Sequence, residues 1–390
     1  MKILLVVNSF PSVSETFIFN KVVALANRGN QVHVVCYKKH NIKDVFKSYE
    51  VNNSNIIVHE IGLRKKLSSF IRTSLSMPTV LLYSLSFNFE QFKKNYQRNY
   101  YANFINQIDY QIIHFEFSGI GVNFLPVISR LKGRIVVSCR GTAEKVKLLI
   151  HDKRKDALTN LLRKADLIHC VSEDIKKTIL PYCNHPEKIF INTPAVDINF
   201  FKPAIEKTST DYIKLFSVGR IEFVKGYLIG LLAVKELVNK GYKIQWSIIG
   251  DGTESEELQF HIHTLKLNEQ VKLMGKRSKE EVNISLGNSD IFLLTSYSEG
   301  LPNVVLEAMS KELPVVTTRC GGVEEIINHG VDGFIVDLYD HAAIAIYVEK
   351  LINDDALRNT IGKAAREKII AKFTLDKQID TFEKYYRQIL

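Results

Sequence analysis

The chain has 390 residues, of which 46% are hydrophobic, so it can bury two ordinary cores and we expect two domains. No apolar run reaches the ~20 residues that span a bilayer, and the run from Met1 breaks at Asn8 without a cleavage-like site, so we expect a cytoplasmic protein. The five cysteines are scattered and have no paired spacing, so we expect no disulfide frame. The net charge of +10 lies wholly in residues 1–203, where 29 Lys and Arg face 15 Asp and Glu; this suggests an anionic partner, a membrane leaflet or an acceptor ahead of nucleic acid, although solubility explains it equally well.

The first domain begins with a strand, a helix and a second strand. We predict strand 2–7, a helix over about 15–27 that ends at Gly29, and strand 31–37. This unit starts a doubly wound sheet, in which ligands bind at the carboxyl ends of the strands. The loop after the first strand, which includes Glu15, is therefore a candidate contact to substrate. It lacks the Gly-x-Gly-x-x-Gly pattern of a dinucleotide site.

Residues 63–101 interleave basic and large apolar side chains. Such a pattern suits an amphipathic element in a membrane interface. It suits a helix packed on its own domain at least as well, and both interpretations stay open.

Two further predicted strands, 111–115 and 135–138, end in polar residues. His114 closes one strand, and a histidine in such a place is more often structural than catalytic. Arg140 follows the other. Arginine stays protonated, so it would act as a hydrogen-bond donor or phosphate clamp and not as a base.

The second domain opens at Tyr212, after a polar linker over 204–211. Its first strand, 213–218, runs into Arg220, and Lys225 follows five residues later. Two cations at a strand exit suit a diphosphate, although a surface ion pair between Arg220 and Glu222 is the plainer alternative. Small or basic residues follow the next two strands, 245–249 and 271–275: Gly250, Gly252, Lys276 and Arg277.

The stretch from Thr295 to Gly322 carries the densest motif. Strand 291–294 precedes a break at Gly300 and a helix with Pro302 in its first turn, and the residues of this turn are Gly300, Leu301, Pro302 and Asn303. Free N–H groups and the positive helix end favour a phosphate there. Glu299 and Glu307 frame the anion site, although helical periodicity also allows Glu307 to be a solvated surface residue.

Glu299 and Glu307, with Gly-Leu-Pro-Asn between them and Gly321-Gly322 and Glu325 beyond, resemble the Glu-x7-Glu motif of retaining glycosyltransferase family 4. The loop over residues 14–17 resembles a subset that builds bacterial exopolysaccharides, of the colanic-acid type. The resemblance implies an α/β protein of GT-B architecture: two Rossmann-like doubly wound domains, 1–203 and 212–374, facing across a cleft, with a C-terminal helix over 375–390 that crosses back to the first domain. Many family members have His where this chain has Arg140.

The resemblance also implies residue roles. Arg220, Lys225 and the helix end near Gly300 would stabilise charge on a departing nucleoside diphosphate, and Glu299 and Glu307 would bind the transferred sugar and the ribose. Backbone near Lys276 and Arg277 would hold the base of a UDP- or GDP-sugar, without metal or cofactor. The acceptor would be a saccharide or a lipid-linked saccharide, with Glu15, His114 and Arg140 as candidate contacts. Peripheral contact with anionic inner-leaflet lipid fits the basic first half, and no nucleic acid is expected.

Three alternatives remain. A glycoside hydrolase would need its two carboxylates ~5–5.5 or ~6.5–9.5 Å apart and would leave the cations without a role. A nucleotide-sugar epimerase could use the same architecture. A basic membrane or nucleic-acid binding module is favoured only by the charge of residues 1–203.

Overall fold

A computed structural model of the chain describes residues 1–12, 15–40, 53–61, 89–204 and 210–390. The chain divides into two compact units. Unit 1 comprises residues 1–171, 176–192 and 379–390, and unit 2 comprises residues 172–175 and 193–378. The domain boundaries drawn from the sequence stay predictions.

Unit 1 is built on a parallel sheet, which has seven strands within the described residues and the order β3-β2-β1-β4-β5-β6-β7. Its strands are β1 (Lys2–Phe10), β2 (Gln31–Lys39), β3 (Ile56–Glu60), β4 (Ile112–Phe115), β5 (Arg134–Cys139), β6 (Leu167–Cys170) and β7 (Ile189–Ile191). The central strands are buried along nearly their whole length, as their continuous runs of Val, Ile and Leu predict for a sheet covered on both faces.

The helices of the first part of the chain connect these strands. They are α1 (Thr16–Asn27), α2 (Phe89–Ile105), α3 (Ser118–Phe124), α4 (Thr142–Lys145), α5 (Lys147–Ile150), α6 (Asp152–Lys164) and α7 (Glu173–Ile179). Helix α1 buries Ile18, Val22 and Leu25 against the sheet, at the spacing of one helical face. Among the described residues, none of the helices is long and apolar enough to cross a bilayer.

Unit 2 has a second parallel sheet, with six strands in the described part of the chain and the order β10-β9-β8-β11-β12-β13. The strands are β8 (Ile213–Val218), β9 (Ile244–Ile249), β10 (Val271–Leu273), β11 (Ile291–Leu294), β12 (Val315–Thr318) and β13 (Phe334–Val336). The helices are α8 (Tyr227–Asn239), α9 (Ser255–Thr264), α10 (Lys279–Gly287), α11 (Asn303–Ser310), α12 (Val323–Ile326), α13 (His341–Asn353) and α14 (Asp355–Lys372). In both sheets the chain reverses strand order beside the first strand, which is the doubly wound topology predicted from the sequence.

The last helix, α15 (Leu375–Gln388), confirms the predicted return of the chain to unit 1. Ile379, Phe382 and Tyr386 are fully buried in the same core cluster as the α1 side chains. Their spacing of three and four residues places them on one face, so the helix completes the core of unit 1 after unit 2 has been made.

The predicted amphipathic segment falls largely outside the described residues, which omit 62–88. The described remainder lies in α2, where Tyr96 and Tyr101 are buried. For that part, packing within the unit is favoured over a membrane interface. Residues 13–14 and 205–209, in the predicted first loop and linker, are also outside the described ranges.

Candidate functional site

Unit 2 brings Lys225 and Glu299 together. Lys225 ends a short turn after β8, and Glu299 lies in the loop after β11, the strand beside β8 in the sheet. The Lys225 Nζ donates to Glu299 Oε1 at 2.6 Å, and Ser296 Oγ donates to the same oxygen at 2.8 Å. Both side chains keep some exposure, 17% for Lys225 and 15% for Glu299. A partly solvated pair of this kind can exchange partners when an anionic ligand arrives.

Hydrogen bonds between the two loops hold this pair in place. Thr295 Oγ1 donates to the carbonyl oxygen of Lys225 at 3.0 Å, and the Tyr297 N–H donates to that of Val224 at 2.7 Å. Gly226 follows with a φ of +57°, and a Cβ there would lie 2.3 Å from the carbonyl oxygen of Thr295. Only glycine permits both the left-handed backbone and this approach.

Gly321 and Gly322 support Glu299 from the other side. A Cβ on Gly321, whose φ is +65°, would lie 2.0 Å from the Glu299 carbonyl oxygen. The Gly322 N–H donates to the carbonyl oxygen of Gly300 at 3.1 Å, and Ser172 Oγ donates to the same oxygen at 3.2 Å. The Gly-Gly pair that closes the sequence motif thus packs against the segment that begins with Glu299.

Gly250 and Gly252 line the neighbouring loops. A Cβ would lie 1.8 Å from the Gly219 carbonyl oxygen at Gly250 and 2.1 Å from the Ile221 carbonyl oxygen at Gly252. The loop after β9 therefore runs in direct backbone contact with the segment that carries Arg220.

Helix α11 begins at Asn303, with Pro302 just before its first turn, one position earlier than predicted. Leu301 and Pro302 are buried. The Asn303 Oδ1 is buried, and no described residue donates a hydrogen bond to it. This helix end therefore presents a polar side chain as well as backbone N–H groups.

Glu307 lies in the second turn of α11 and is half-buried. Burial raises the pKa of this carboxyl to about 7, and the nearby charge of Lys279 acts in the opposite direction. This partial burial differs from the solvated surface position that helical periodicity also allowed for Glu307.

The other predicted cations of unit 2 have local acidic partners. Arg220 pairs with Glu222 at 2.8 Å and is 60% exposed, which is the surface pair that the sequence left open. Lys276 lies 3.4 Å from Asp251. Arg277, two residues before α10, lies 3.5 Å from Glu281 in that helix. Such exposed pairs are weak, so each cation is available to a stronger anion.

Unit 1 places Arg140 in a buried ionic cluster. Arg140 donates from Nε to the backbone oxygen of Glu116 at 2.9 Å and from Nη2 to the Glu116 carboxylate, whose other oxygen receives Lys21 Nζ at 2.6 Å. Glu116 is fully buried and Lys21 is 2% exposed. The two cations hold the pKa of Glu116 well below its usual range despite burial, whereas burial lowers the pKa of Lys21 to about 8.

His114 is fully buried, and both its ring nitrogens are hydrogen-bonded. His169 Nε2 faces the carbonyl oxygen of Asn192 at 2.8 Å and must donate, so Ser138 Oγ donates to His169 Nδ1 at 2.7 Å. Ser138 then accepts from His114 Nε2, which leaves His114 Nδ1 to accept from Tyr386 at 2.6 Å. Both rings are neutral in this arrangement, and burial holds the pKa of each well below 6.5. The structure therefore favours the structural interpretation of His114.

Sequence reasoning missed Lys21, Ser138, His169 and Tyr386 as members of this cluster. The one available signal was Lys21, a charged residue on the apolar face of the predicted first helix. Glu15, the remaining candidate, lies half-buried just before α1. In the described part of the chain, no three His, Cys, Asp or Glu side chains are grouped as metal ligands.

The chain forms two parallel-sheet units, and its last helix returns to the first of them. This is the architecture of a GT-B protein. Residues 14–200 match the model of Glycosyltransferase Family 4, and residues 199–368 match that of Glycosyl transferases group 1. The chain belongs to the glycosyltransferases that these two models describe.

Similar proteins agree with this assignment. The chain is 24% identical to the amylovoran biosynthesis glycosyltransferase AmsK of Erwinia amylovora over 96% of each chain. It is 28% identical to the UDP-Gal:alpha-D-GlcNAc-diphosphoundecaprenol alpha-1,3-galactosyltransferase of Escherichia coli over 56% of this chain and 59% of that one. The crystal structure of Anabaena HepE in complex with UDP-glucose has the same fold, with a TM-score of 0.76, 18% identity and full coverage of both chains.

Proposed function

We propose that this glycosyltransferase moves a sugar from a nucleotide diphosphate sugar, of the UDP type, to a saccharide or lipid-linked saccharide with retention of anomeric configuration. The observation that carries the proposal is the Lys225–Glu299 pair at 2.6 Å, among glycine-lined loops and just before the start of α11. A cation, a sugar-binding carboxylate and a helix N-terminus are the groups that a sugar diphosphate needs.

In the proposed reaction, the bond between the anomeric carbon and the diphosphate oxygen breaks, and its electron pair goes to the diphosphate. The acceptor hydroxyl attacks the same face of the sugar and gives its proton to the departing diphosphate oxygen. Lys225, Arg220 and the N–H groups of the turn Gly300 to Asn303 stabilise the negative charge as it develops. No protein nucleophile is required.

The two carboxylates of the motif have different tasks. When the diphosphate draws Lys225 away, Glu299 is left to accept hydrogen bonds from hydroxyls of the transferred sugar. Glu307 accepts hydrogen bonds from the ribose hydroxyls, and these bonds favour its ionised form. Because burial raises the pKa of the carboxyl to about 7, donor binding is coupled to loss of the Glu307 proton. Backbone near Lys276 and Arg277 holds the base, with Gly250 and Gly252 allowing close approach.

The relatives support the choice of donor, acceptor and pathway. HepE was crystallised with UDP-glucose, the galactosyltransferase is named for a UDP-sugar and a diphosphoundecaprenol-linked acceptor, and AmsK is named for amylovoran biosynthesis. We propose by analogy that this chain acts in bacterial surface polysaccharide synthesis, at the cytoplasmic face of the membrane.

Titration calorimetry with UDP tests the donor site. Lys225→Ala should weaken UDP binding at least about tenfold, because a charged hydrogen bond to phosphate is lost. Arg220→Ala should have a smaller effect, since that side chain is more exposed. The matched control is Lys240→Ala, a lysine of unit 2 that pairs with Glu236 and Glu349 on the surface. If Lys225→Ala binds UDP as well as the parent, the donor site is wrong.

Retention has its own test. NMR of the product formed from an α-configured UDP-sugar should show an α-linkage. A β-linked product would contradict the proposed same-face attack while leaving the donor site intact.

A membrane contact is a second proposal, and a specific surface favours it. Leu149 and Ile150 in α5 are 81% and 64% exposed, with Lys147 and Lys153 exposed beside them. Two adjacent apolar side chains flanked by cations fit an anionic lipid surface. Pelleting with anionic vesicles should fall with salt and in Leu149→Glu with Ile150→Glu; equal pelleting of the double variant would remove this surface from the proposal.

A further inference from the structure

Two tyrosine rings stack at the carboxyl edge of the sheet in unit 2. Tyr297 follows β11 and Tyr339 follows β13, and their ring centres lie 4.8 Å apart with an angle of 33° between the ring planes. Tyr339 is 63% exposed, whereas Tyr297 is half-buried. One face of the Tyr339 ring therefore rests on Tyr297, and the other face is open to solvent.

Tyr297 is fixed against the loops of the proposed donor site. Its N–H donates to the carbonyl oxygen of Val224 at 2.7 Å, and a Cβ on Gly226 would lie 3.0 Å from a carbon of its ring. Tyr297 also precedes Glu299 by only two residues, so their Cα atoms are at most about 7 Å apart. The two stacked rings are therefore attached to the loops that carry Lys225 and Glu299.

The backbone of Tyr339 is unusual for a residue with a large side chain. Its φ is +68°, and it is the third residue of a turn in which the Asp340 N–H donates to the carbonyl oxygen of Asp337 at 3.3 Å. Glycine or asparagine is preferred at a turn position with positive φ. In the described part of the chain, the other non-glycine residues with positive φ are Lys266 and Glu312, and each follows the end of a helix, where this conformation is common. A tyrosine kept in such a turn indicates that its ring has a function.

The charges beside the two rings are mainly negative. Asp337 and Asp340 flank the exposed ring in the chain, and the cation Arg319 is already paired with Asp337 at 3.0 Å. Burial, the exposed ring and the carboxylate of Glu254, in that order, raise the pKa of Tyr297, so Glu254 lies near the rings as well. An anionic ligand would be repelled from this surface.

A neutral sugar fits the same surface. The C–H groups on one face of a pyranose ring are apolar and pack on an aromatic face, while the sugar hydroxyls can donate to nearby carboxylates. An exposed aromatic ring with acidic neighbours offers both kinds of contact.

We propose that Tyr339 is a stacking platform for a neutral pyranose ring of the acceptor, with Tyr297 as the residue that positions it. The proposal rests on the proposed function and deepens it: the acceptor is an oligosaccharide, and unit 2 contacts a sugar residue beyond its reacting end. Glu299 is assigned to the transferred sugar, so the platform adds a second sugar contact at the same edge of the sheet.

Calorimetric titration with neutral tetrasaccharides tests the platform. The probes are maltotetraose, cellotetraose and β-1,4-mannotetraose. We expect at least one of them to bind the parent, and to bind equally well at saturating UDP, because the platform lies outside the donor contacts. The proposal is overturned if none of the probes binds, or if UDP displaces the probe that does.

Variants of Tyr339 separate the ring from the backbone. Tyr339→Gly removes the ring and relieves the left-handed strain, so it should unfold at the parent temperature or above while its affinity for the bound probe falls about fivefold or more. Tyr339→Phe keeps the ring and should bind the probe within about twofold of the parent. Unchanged affinity in Tyr339→Gly, or an equal loss in Tyr339→Phe, would contradict stacking on the ring.

Phe260→Ala is the matched control. Phe260 lies in α9 of the same unit and is 64% exposed, so this variant removes a ring of nearly the same exposure elsewhere. We expect its tetrasaccharide affinity to equal that of the parent, and a loss as large as in Tyr339→Gly would overturn the proposal.

Titration with UDP distinguishes this proposal from the donor site. Tyr339→Gly should bind UDP as the parent does, and a loss of UDP affinity would assign the ring to the nucleobase and overturn the proposal. If the parent itself does not bind UDP, the donor proposal fails, yet the tetrasaccharide titrations without UDP still decide whether Tyr339 binds a sugar.

Discussion

The two units use buried charge in opposite ways. In unit 1, the Lys21–Glu116 pair is 2% and 0% exposed and is locked into a network of fixed hydrogen bonds. In unit 2, the Lys225–Glu299 pair has nearly the same 2.6 Å contact, but each side chain is partly exposed on a loop. Sealed pairs orient their neighbours and resist change, whereas partly open pairs can give up one partner to a ligand. We therefore expect the pair in unit 1 to fix the positions of its neighbours and the pair in unit 2 to exchange one partner for a ligand.

Breaking the sealed pair should have the largest effect. Glu116→Gln leaves Lys21 uncompensated in the core, so we expect a loss of about 3–5 kcal/mol in the free energy of unfolding. The single tryptophan, Trp246, is buried in unit 2. Urea unfolding followed by far-UV circular dichroism should therefore shift while the tryptophan fluorescence transition stays in place. A loss below about 1 kcal/mol would show that the cluster is not a tightly coupled unit.

The open pair should show the reverse pattern. Glu299→Gln should lower kcat/KM by about 10²–10³, because the proposed function assigns this carboxylate to the hydroxyls of the reacting sugar. Its effect on the free energy of unfolding should be under about 1 kcal/mol, since the pair is partly solvated. Sugar release and urea unfolding of one preparation give both numbers. Large destabilisation with little loss of turnover would make Glu299 structural.

A glycine comparison sharpens the role of close approach. Gly321→Ala must accommodate both a left-handed backbone and a Cβ 2.0 Å from the backbone carbonyl oxygen of Glu299. The substitution should therefore displace Glu299 and lower turnover. Gly241 has a φ of +92°, but a Cβ built there would have no atom within 4 Å. Gly241→Ala should therefore lower the free energy of unfolding by about 1–2 kcal/mol without a loss of turnover. Equal activity of the two variants would mean that the Gly321 contact does not position the site.

The smallest expected effect is a pH dependence at Glu307. Binding of ribose hydroxyls favours the ionised carboxyl, so UDP affinity should rise by up to about tenfold between pH 6 and 8. Glu307→Gln should flatten the part of the profile that this residue causes. Because the folded-state pKa lies above the unfolded one, the free energy of unfolding should also fall as pH rises from about 4.5 to 7 in the parent and not in the variant. Identical profiles would exclude Glu307 from the donor site.

Most strands of unit 2 could be predicted closely from the sequence. Strands 213–218 and 291–294 have the observed bounds, because short apolar runs there end abruptly at glycine or polar residues. Gly300, Gly321 and Gly322 could also be predicted, since the motif keeps them within one continuous stretch, whereas Gly226 was not singled out. Lys225 was assigned beside the phosphate, but its pairing with Glu299, 74 residues away, was not foreseen.

The cluster of unit 1 could not be predicted for a physical reason. Its members come from α1, β4, β5, β6 and α15. They meet only because the three strands are neighbours in the sheet and the two helices pack against it. No local spacing records such an arrangement. The burial of Ser310 in α11 was not predicted either. This polar side chain is buried and donates to the carbonyl oxygen of Phe201 at 2.7 Å, because tertiary packing covers that face of the helix.

The position of Tyr386 has a consequence for biosynthesis. Its hydroxyl bonds a histidine on β4, so unit 1 lacks part of its interior until residues 379–390 have left the ribosome. By then all of unit 2 has been translated and can fold on its own sheet. The half of the molecule that is synthesised first is therefore the half that finishes folding last, and its exposed apolar wall must be kept from aggregation throughout translation.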